Sequence, residues 1–542
     1  MSRPVPAAAP AAVPPLRPGA LVLLTAAVTA LAAAGVLPRW PGLVHLVALP
    51  PLDLIADLRL LMAVSSGYPQ FLAGLAAALA LRVTVLAFLL GGARGPALRY
   101  AARYYLAVLP AALPAAGLLL GAGALLFYGL FWAGTAAVLL VTALTAAVPW
   151  AAPPRLARGC ATAARHGMRL GTVGACLAAL AVIGAVADVT RPAGPVLLVP
   201  VSALLTFAAA RALRADPGLR AVRRLVAAVP AAGIAALALV AATGPAGPPT
   251  APEPQEPRPG SLMLMSGVDS ASGLGAILEI DPHTLGYRCG QTFYYSYAGP
   301  GDGQPRNLAM CPPTGGAPYG PGDTLRPTAE LITFLEAQLT SLPRPVTLAT
   351  HSQGVWITWE AAADGRLPGV SELVLTGPFP QNPVPYPPQG EPGRSRPAAD
   401  VARLVAGLPR PGGTSAFEPD SPLGREWLAR PRAVGRTLAR PLPPGVRALG
   451  VASVFDLPLM PGGPDLPGAA DACPVPVIHP NLPYATEFRR AVTAFLERRP
   501  LPDCPRWRSL VGPVFRPFAV PAVEPAGRPP AGRRRAVVSG RL

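Results

Sequence analysis

From Leu21 to Leu37 no charged residue interrupts the chain, and an apolar run of that length is about what a helix needs to cross the hydrocarbon core of a bilayer. Similar runs follow at Phe71 to Leu90, Leu170 to Val186, Pro195 to Leu213 and Leu225 to Ala242. The stretch Tyr105 to Val148 is too long for one crossing and reads as two helices turning near Gly121 to Gly123, which brings the set to about seven. Nothing comparable occurs after residue 243. The first half, 1–243, therefore reads as an all-α membrane bundle, although a cleaved signal peptide competes for the first run because its flank is basic. The 542-residue chain is 51% apolar and 14% charged, against about 25% charged in ordinary soluble domains.

The loops between runs set an orientation. Arg94, Arg99 and Arg103 share one loop, Arg155, Arg158, Arg165 and Arg169 a second, and Arg211, Arg214, Arg220, Arg223 and Arg224 a third. The alternate connections are short or carry Asp53, Asp57 and Asp188. Basic loops stay in the cytoplasm, so the N-terminus is expected inside the plasma membrane and everything beyond Ala242 outside it. Arg82 falls within a run with no intramembrane acid evident as its partner; snorkelling or backbone carbonyls would accommodate it, and a transport role would rest on it alone.

The second half has a different pattern. Residues 244–260 are Pro-rich and aperiodic, as in a linker. Short apolar strand patterns then appear at Leu262 to Met265, Thr292 to Tyr297, Val346 to Ala349, Glu372 to Leu375, Val446 to Val454 and Val475 to Ile478. Helical patterns lie between and after them, at Thr328 to Leu339, Val355 to Ala363 and Tyr484 to Leu496. Strands alternating with helices imply a mostly parallel α/β sheet covered on both faces, over about 261–505. The interval 377–445 is a long Pro- and Arg-rich insertion with an amphipathic piece near Val401 to Leu408, expected to act as a lid. The tail 506–542 carries Arg533, Arg534 and Arg535 and reads as a basic, disordered extension that could touch anionic lipid or envelope polymer.

Charge and composition exclude several chemistries. Formal charge is +18, yet no Lys occurs, so the basic residues are all Arg. A P-loop lysine, a Schiff base and a Ser-x-x-Lys pair are thereby absent. Nucleic acid is not an expected partner in an extracytoplasmic compartment. No Cys-x-x-Cys or His-Glu-x-x-His run suggests a metal, and no cofactor is expected. Four of the six cysteines, Cys289, Cys311, Cys473 and Cys504, fall in the outer domain. An oxidising compartment favours two disulfides, most simply Cys289 with Cys311 and Cys473 with Cys504, although four cysteines allow three connectivities.

One short run carries the chemistry. The strand Val346 to Ala349 leads into Thr350-His351-Ser352-Gln353-Gly354 and then a helix. A serine on such a turn presents its hydroxyl at the carboxyl edge of the sheet, beside N-H groups that can hold an oxyanion. A serine needs a histidine base and an acid to orient that base. Of five histidines, His45 and His166 belong to the membrane half, His283 precedes the turn, and His351 adjoins the serine and is expected to point away from it. His479 is left, following the last strand pattern. Asp456 follows the fifth strand, with Asp465 and Asp471 in the same connection. Asp323-Thr324 is expected to cap the Thr328 helix.

The run resembles the nucleophile elbow of the α/β-hydrolase superfamily, with Ser-Gln-Gly similar to cutinases and lipases, and it departs from Gly-x-Ser-x-Gly at Thr350. The resemblance covers about Ser261 to Arg499. It implies an α/β-hydrolase-like sheet and an esterase or lipase acting on acyl esters of a lipid or cell-envelope component. It also implies the order Ser352, Asp456, His479 for nucleophile, acid and base, with an oxyanion hole from the Gln353 N-H and the Gly267-Val268 loop. An envelope acyltransferase using the same three residues, and an inactive membrane scaffold, are the alternatives.

Overall fold

The computed structural model describes residues 17–34, 49–91, 95–125, 128–146, 148–151, 170–189, 194–214, 257–378, 386–406, 418, 420–429, 436–456, 466–505, 507–508 and 511. The N-terminal region is helical: α1 (Pro18–Ala33), α2 (Leu52–Val64), α3 (Tyr68–Leu90), α4 (Pro96–Leu125), α5 (Tyr128–Thr145), α6 (Leu170–Val189) and α7 (Val199–Arg214). Among the described residues three stretches are long and apolar enough to cross a membrane, Tyr68–Leu90, Pro96–Gly121 and Ala133–Trp150; Pro18–Ala33, Thr172–Ile183 and Val199–Leu213 are shorter apolar helices. Leu72, Leu81 and Leu106 on these helices are 58–60% exposed, as side chains facing lipid would be. Helix α4 runs through Gly121 to Gly123, where a turn was expected, and ends at Leu125; it also takes in Arg99 and Arg103, and α7 takes in Arg211 and Arg214, all four of which were expected in loops. The expected crossing at Leu225 to Ala242 lies outside the described residues, as do nearly all of the linker and the basic tail.

Helix α2 overturns one sequence expectation. Asp53 and Asp57 belong to a helix packed into the bundle, with Leu54 and Leu58 fully buried, and not to an external loop. Arg82 therefore has acid partners: its Nε and Nη2 donate to Asp57 Oδ2 and Oδ1 at 2.7 and 2.8 Å. Asp53 lies 3.9 Å from the same guanidinium and accepts from the Tyr105 hydroxyl at 2.5 Å. Thirteen residues with three charges make too short and too polar a run to register as a span, and the partners are 25 positions apart in the chain.

The C-terminal region is an α/β unit built on β1 (Ser261–Met265), β2 (Thr292–Tyr294), β3 (Val346–His351), β4 (Val370–Thr376), β5 (Arg447–Val451) and β6 (Ala469–Asp471). Its helices are α8 (Thr328–Thr340), α9 (Gln353–Ala363), α10 (Arg396–Ala406), α11 (Pro422–Ala429) and α12 (Thr486–Leu496). All six strands are parallel, in the order β2-β1-β3-β4-β5-β6. Strand alternation divides the core. Met263, Met265, Leu348, Leu373 and Leu375 meet α8 and α9 on one face. Leu262, Leu264, Ala349, Val374 and Leu449 meet Phe488, Val492 and Phe495 of α12 on the other. Both faces are thus covered, which is why these strands read as continuous apolar runs. Strand order reverses between β1 and β3, and open parallel sheets bind ligands outside the carboxyl ends at such a point.

The sixth strand is Ala469–Asp471, not Val475 to Ile478. Pro474 and Pro476 flank Val475 and remove two N-H donors, so that segment keeps only an isolated bridge between Val475 and Ser453. The insertion is not simply loop: it contains α10 and α11. Thr328 is also capped differently from expectation. Its N-H donates to Glu426 Oε2 of α11 at 2.9 Å, while Asp323 accepts from Gly320 N-H and pairs with Arg326. Disulfides join Cys289 to Cys311 and Cys473 to Cys504.

Candidate active site

Ser352 stands between β3 and α9 with φ 60° and ψ −122°, a backbone region that side chains other than hydrogen rarely occupy. Two contacts hold it there. Its N-H donates to Thr376 O at the end of β4 at 2.8 Å. Gly267, just past β1, passes so close that a Cβ at that position would lie 2.6 Å from Ser352 Cβ and 2.9 Å from Oγ. The hydroxyl is thereby raised at the carboxyl edge, at the reversal point of the sheet. Thr350 takes the place of the first glycine of an elbow without crowding it, because it is a fully buried β3 residue in register with Met265 and Leu375.

Gln353 opens α9, so its N-H has no acceptor within the helix and faces the same edge. Its buried side chain donates from Nε2 to Thr324 O at 2.5 Å, and the Thr324 hydroxyl accepts from Asp269 N-H at 3.2 Å. Thr324 thus ties the loop after β1, containing Gly267 and half-buried Val268, to the start of α9. Sequence reasoning had given Thr324 only a helix cap.

His479 and Asp456 come together as chain order suggested. His479 Nδ1 lies 2.8 Å from Asp456 Oδ2, and both side chains are buried. Backbone pairing causes this approach. Val454 N-H donates to Val475 O at 2.8 Å and Val475 N-H to Ala452 O at 2.9 Å, so the segment after β5 is zipped to the segment entering His479. Cys473, bonded to Cys504, anchors the start of that second segment. With the Nδ1 proton directed at a carboxylate, the neutral imidazole carries its lone pair on Nε2, the tautomer a general base requires. Asp465 lies outside the described residues, and Asp471 is at the end of exposed β6.

Two residues at this centre escaped sequence reasoning. Gly377 follows β4 with φ +62°, and a Cβ there would fall 2.4 Å from His479 Cε1. The Thr376-Gly377 pair therefore receives the Ser352 N-H on one residue and the His479 ring on the next. His351 is no bystander: its ring centre is 4.6 Å from that of His479, and its Nε2 is 3.2 Å from the His479 carbonyl oxygen. Burial pushes the His351 pKa well below the ordinary imidazole value, and the neighbouring His479 pushes the same way against the raising effect of that hydrogen bond. A neutral His351 can then donate Nε2-H to the carbonyl. No local sequence signal marks either role, since both depend on β4 and the His479 turn meeting across the sheet edge.

Among the described residues no group of three His, Cys, Asp or Glu side chains could hold a metal ion. Comparison with family models, curated proteins and solved structures finds no match to this chain.

Proposed function

We propose that this chain is a membrane-anchored serine hydrolase that cleaves acyl esters outside the cytoplasm, on an α/β-hydrolase-like domain carried by about seven spans. The observation that carries the reading is the placement, at one carboxyl edge, of a serine held at positive φ and a buried imidazole-carboxylate pair. Six parallel strands in this order, with the serine after the third, resemble the hydrolase arrangement. Two disulfides suit an oxidising compartment, and the clustering of Arg between alternate apolar runs supports an extracytoplasmic one under the positive-inside rule.

In this mechanism Ser352 Oγ attacks the ester carbonyl carbon while His479 Nε2 takes its proton, and Asp456 holds the imidazole orientation and stabilises the imidazolium. The oxyanion is met by the Gln353 N-H and an N-H of the Gly267-Val268 loop. The C–O bond then breaks, the alcohol leaves with the proton from His479, and the acyl group stays on Ser352. Water attacks that acyl-enzyme, giving its proton to His479, and the released Ser352 regains it. Turnover of 4-nitrophenyl butyrate by the full chain in detergent tests the reading. Ser352→Ala should lower kcat by on the order of 10⁶-fold and Asp456→Asn by on the order of 10⁴-fold. Turnover that survives both substitutions would dismiss it.

A further inference from the structure

The insertion docks the catalytic unit onto the membrane helices. Ser395 Oγ donates to Ala63 O at 2.5 Å and Arg396 N-H to Ser65 O at 3.1 Å, where α2 ends. The Tyr68 hydroxyl, at the first residue of α3, donates to Asp400 Oδ2 at 2.9 Å. On α10, Ala398 lies in the core of the helical bundle, whereas Ala399 and Ala402 lie in the core of the catalytic unit. Gly117 of α4 makes the close approach, since a Cβ there would be 3.1 Å from Val401 Cγ1. Helix α10 is a seam shared by two hydrophobic cores.

The spans give this seam a height. Helix α3 has 23 residues, about 35 Å, so Tyr68 and Leu90 sit near opposite faces of a hydrocarbon core about 30 Å thick. Only a short link separates Leu90 from Pro96, and Gly117 is 21 residues further along α4, about 32 Å back towards the face of Tyr68. Both contacts of α10 therefore fall at one membrane boundary, opposite the end where α4 begins with Arg99 and Arg103 in its first turns. Leu404, one turn beyond Val401, is 71% exposed at that level.

From the seam a chain of contacts runs to the catalytic edge. Arg403 of α10 lies over the Tyr386 ring at 4.3 Å and pairs with Asp420 at 2.8 Å, just before α11. On α11, Trp427 packs on Trp356, one turn after Ser352, with ring centres 4.5 Å apart. Tyr386 is also only nine positions after Gly377, a reach of at most about 32 Å. The carboxyl edge of the sheet, from which the insertion springs, thus stands next to the bilayer boundary.

We propose, building on the hydrolase reading, that the substrate is a long-chain acyl ester resident in the adjoining leaflet, loaded past α10 with Leu404 in contact with the acyl region. The reaction is the same: water and the ester give a carboxylic acid and the alcohol. The test places the full chain in phosphatidylcholine vesicles and compares 4-methylumbelliferyl oleate, held in the bilayer, with the soluble butyrate ester of the same fluorophore. Wild type should hydrolyse the oleate in a Ser352-dependent manner. Leu404→Glu should lower the oleate-to-butyrate rate ratio at least tenfold, and Gly117→Leu, which forces Val401 away, should lower it too. An unchanged ratio in both variants, or butyrate turnover without oleate turnover, overturns the proposal. If neither ester shows Ser352-dependent turnover, the hydrolase reading itself fails and takes the proposal with it.

Discussion

Replacing Gly377 with alanine tests whether the position of His479 matters to chemistry. The added Cβ would lie 2.4 Å from His479 Cε1, against about 3.5 Å for carbon atoms in contact, so the ring must retreat by about 1 Å. A misplacement of that size costs on the order of 100-fold in rate, or about 2.7 kcal/mol of transition-state stabilisation. The left-handed backbone, φ +62°, adds about 1–2 kcal/mol of destabilisation for any side chain. Gly365 separates the two effects, because it has φ +71° and open space where a Cβ would stand. Gly365→Ala should lose about 1 kcal/mol of stability and keep its turnover. Steady-state ester hydrolysis and thermal unfolding in detergent read both quantities. Wild-type kcat in Gly377→Ala, or an equal kcat loss in Gly365→Ala, would refute the steric reasoning.

His351 is neutral when folded and protonates near pH 6.5 when unfolded, so the unfolded state binds the extra proton as pH falls. Its contribution is intact above pH 6.5 and declines below it by about 1.4 kcal/mol per pH unit until the folded-state value is reached. Unfolding of His351→Gln between pH 7 and pH 5 should show a shallower acid loss than wild type; identical slopes would contradict a buried neutral imidazole. The disulfides close loops with sequence separations of 22 and 31, worth about 3–4 kcal/mol each by chain entropy, and thiol titration under non-reducing conditions should find these four cysteines blocked. Four reactive thiols there would be inconsistent with the pairing. Arg82→Leu leaves buried Asp53 and half-buried Asp57 without their cation and should cost about 3 kcal/mol, measured as a fall in Tm. Adding Asp57→Leu should return part of that loss, and a double variant less stable than either single one would count against a paired charge.

Legibility in the sequence followed the range of the interactions. Strands β1, β3, β4 and β5 and helix α8 carry their own apolar runs, so their periodicity was visible within a few residues. The Ser352 turn was visible for the same reason: strand, small residues and helix are contiguous. Asp456 and His479 could be proposed only from chain order, and the bridge that joins them spans Ser453 and Val475. Where pairing is distant and carries no period, nothing local announced it. Asp57 finds Arg82 in another helix, Glu426 caps α8 from the insertion, and α10 joins Asp400 to Tyr68, 332 positions away. Gly377 and His351 read as unremarkable residues until the strand ends are brought side by side.

Activity-based labelling reaches the central claim with the fewest intermediates. A fluorophosphonate reacts with a serine only when a base activates it and N-H donors receive the oxygen, so intact mass and peptide mapping report the assembled site. One adduct on Ser352 is expected in the wild-type chain, a much slower one in His479→Ala, and none in Ser352→Ala. Equal labelling of the wild type and Ser352→Ala, or an adduct mapped to another serine, would contradict the account.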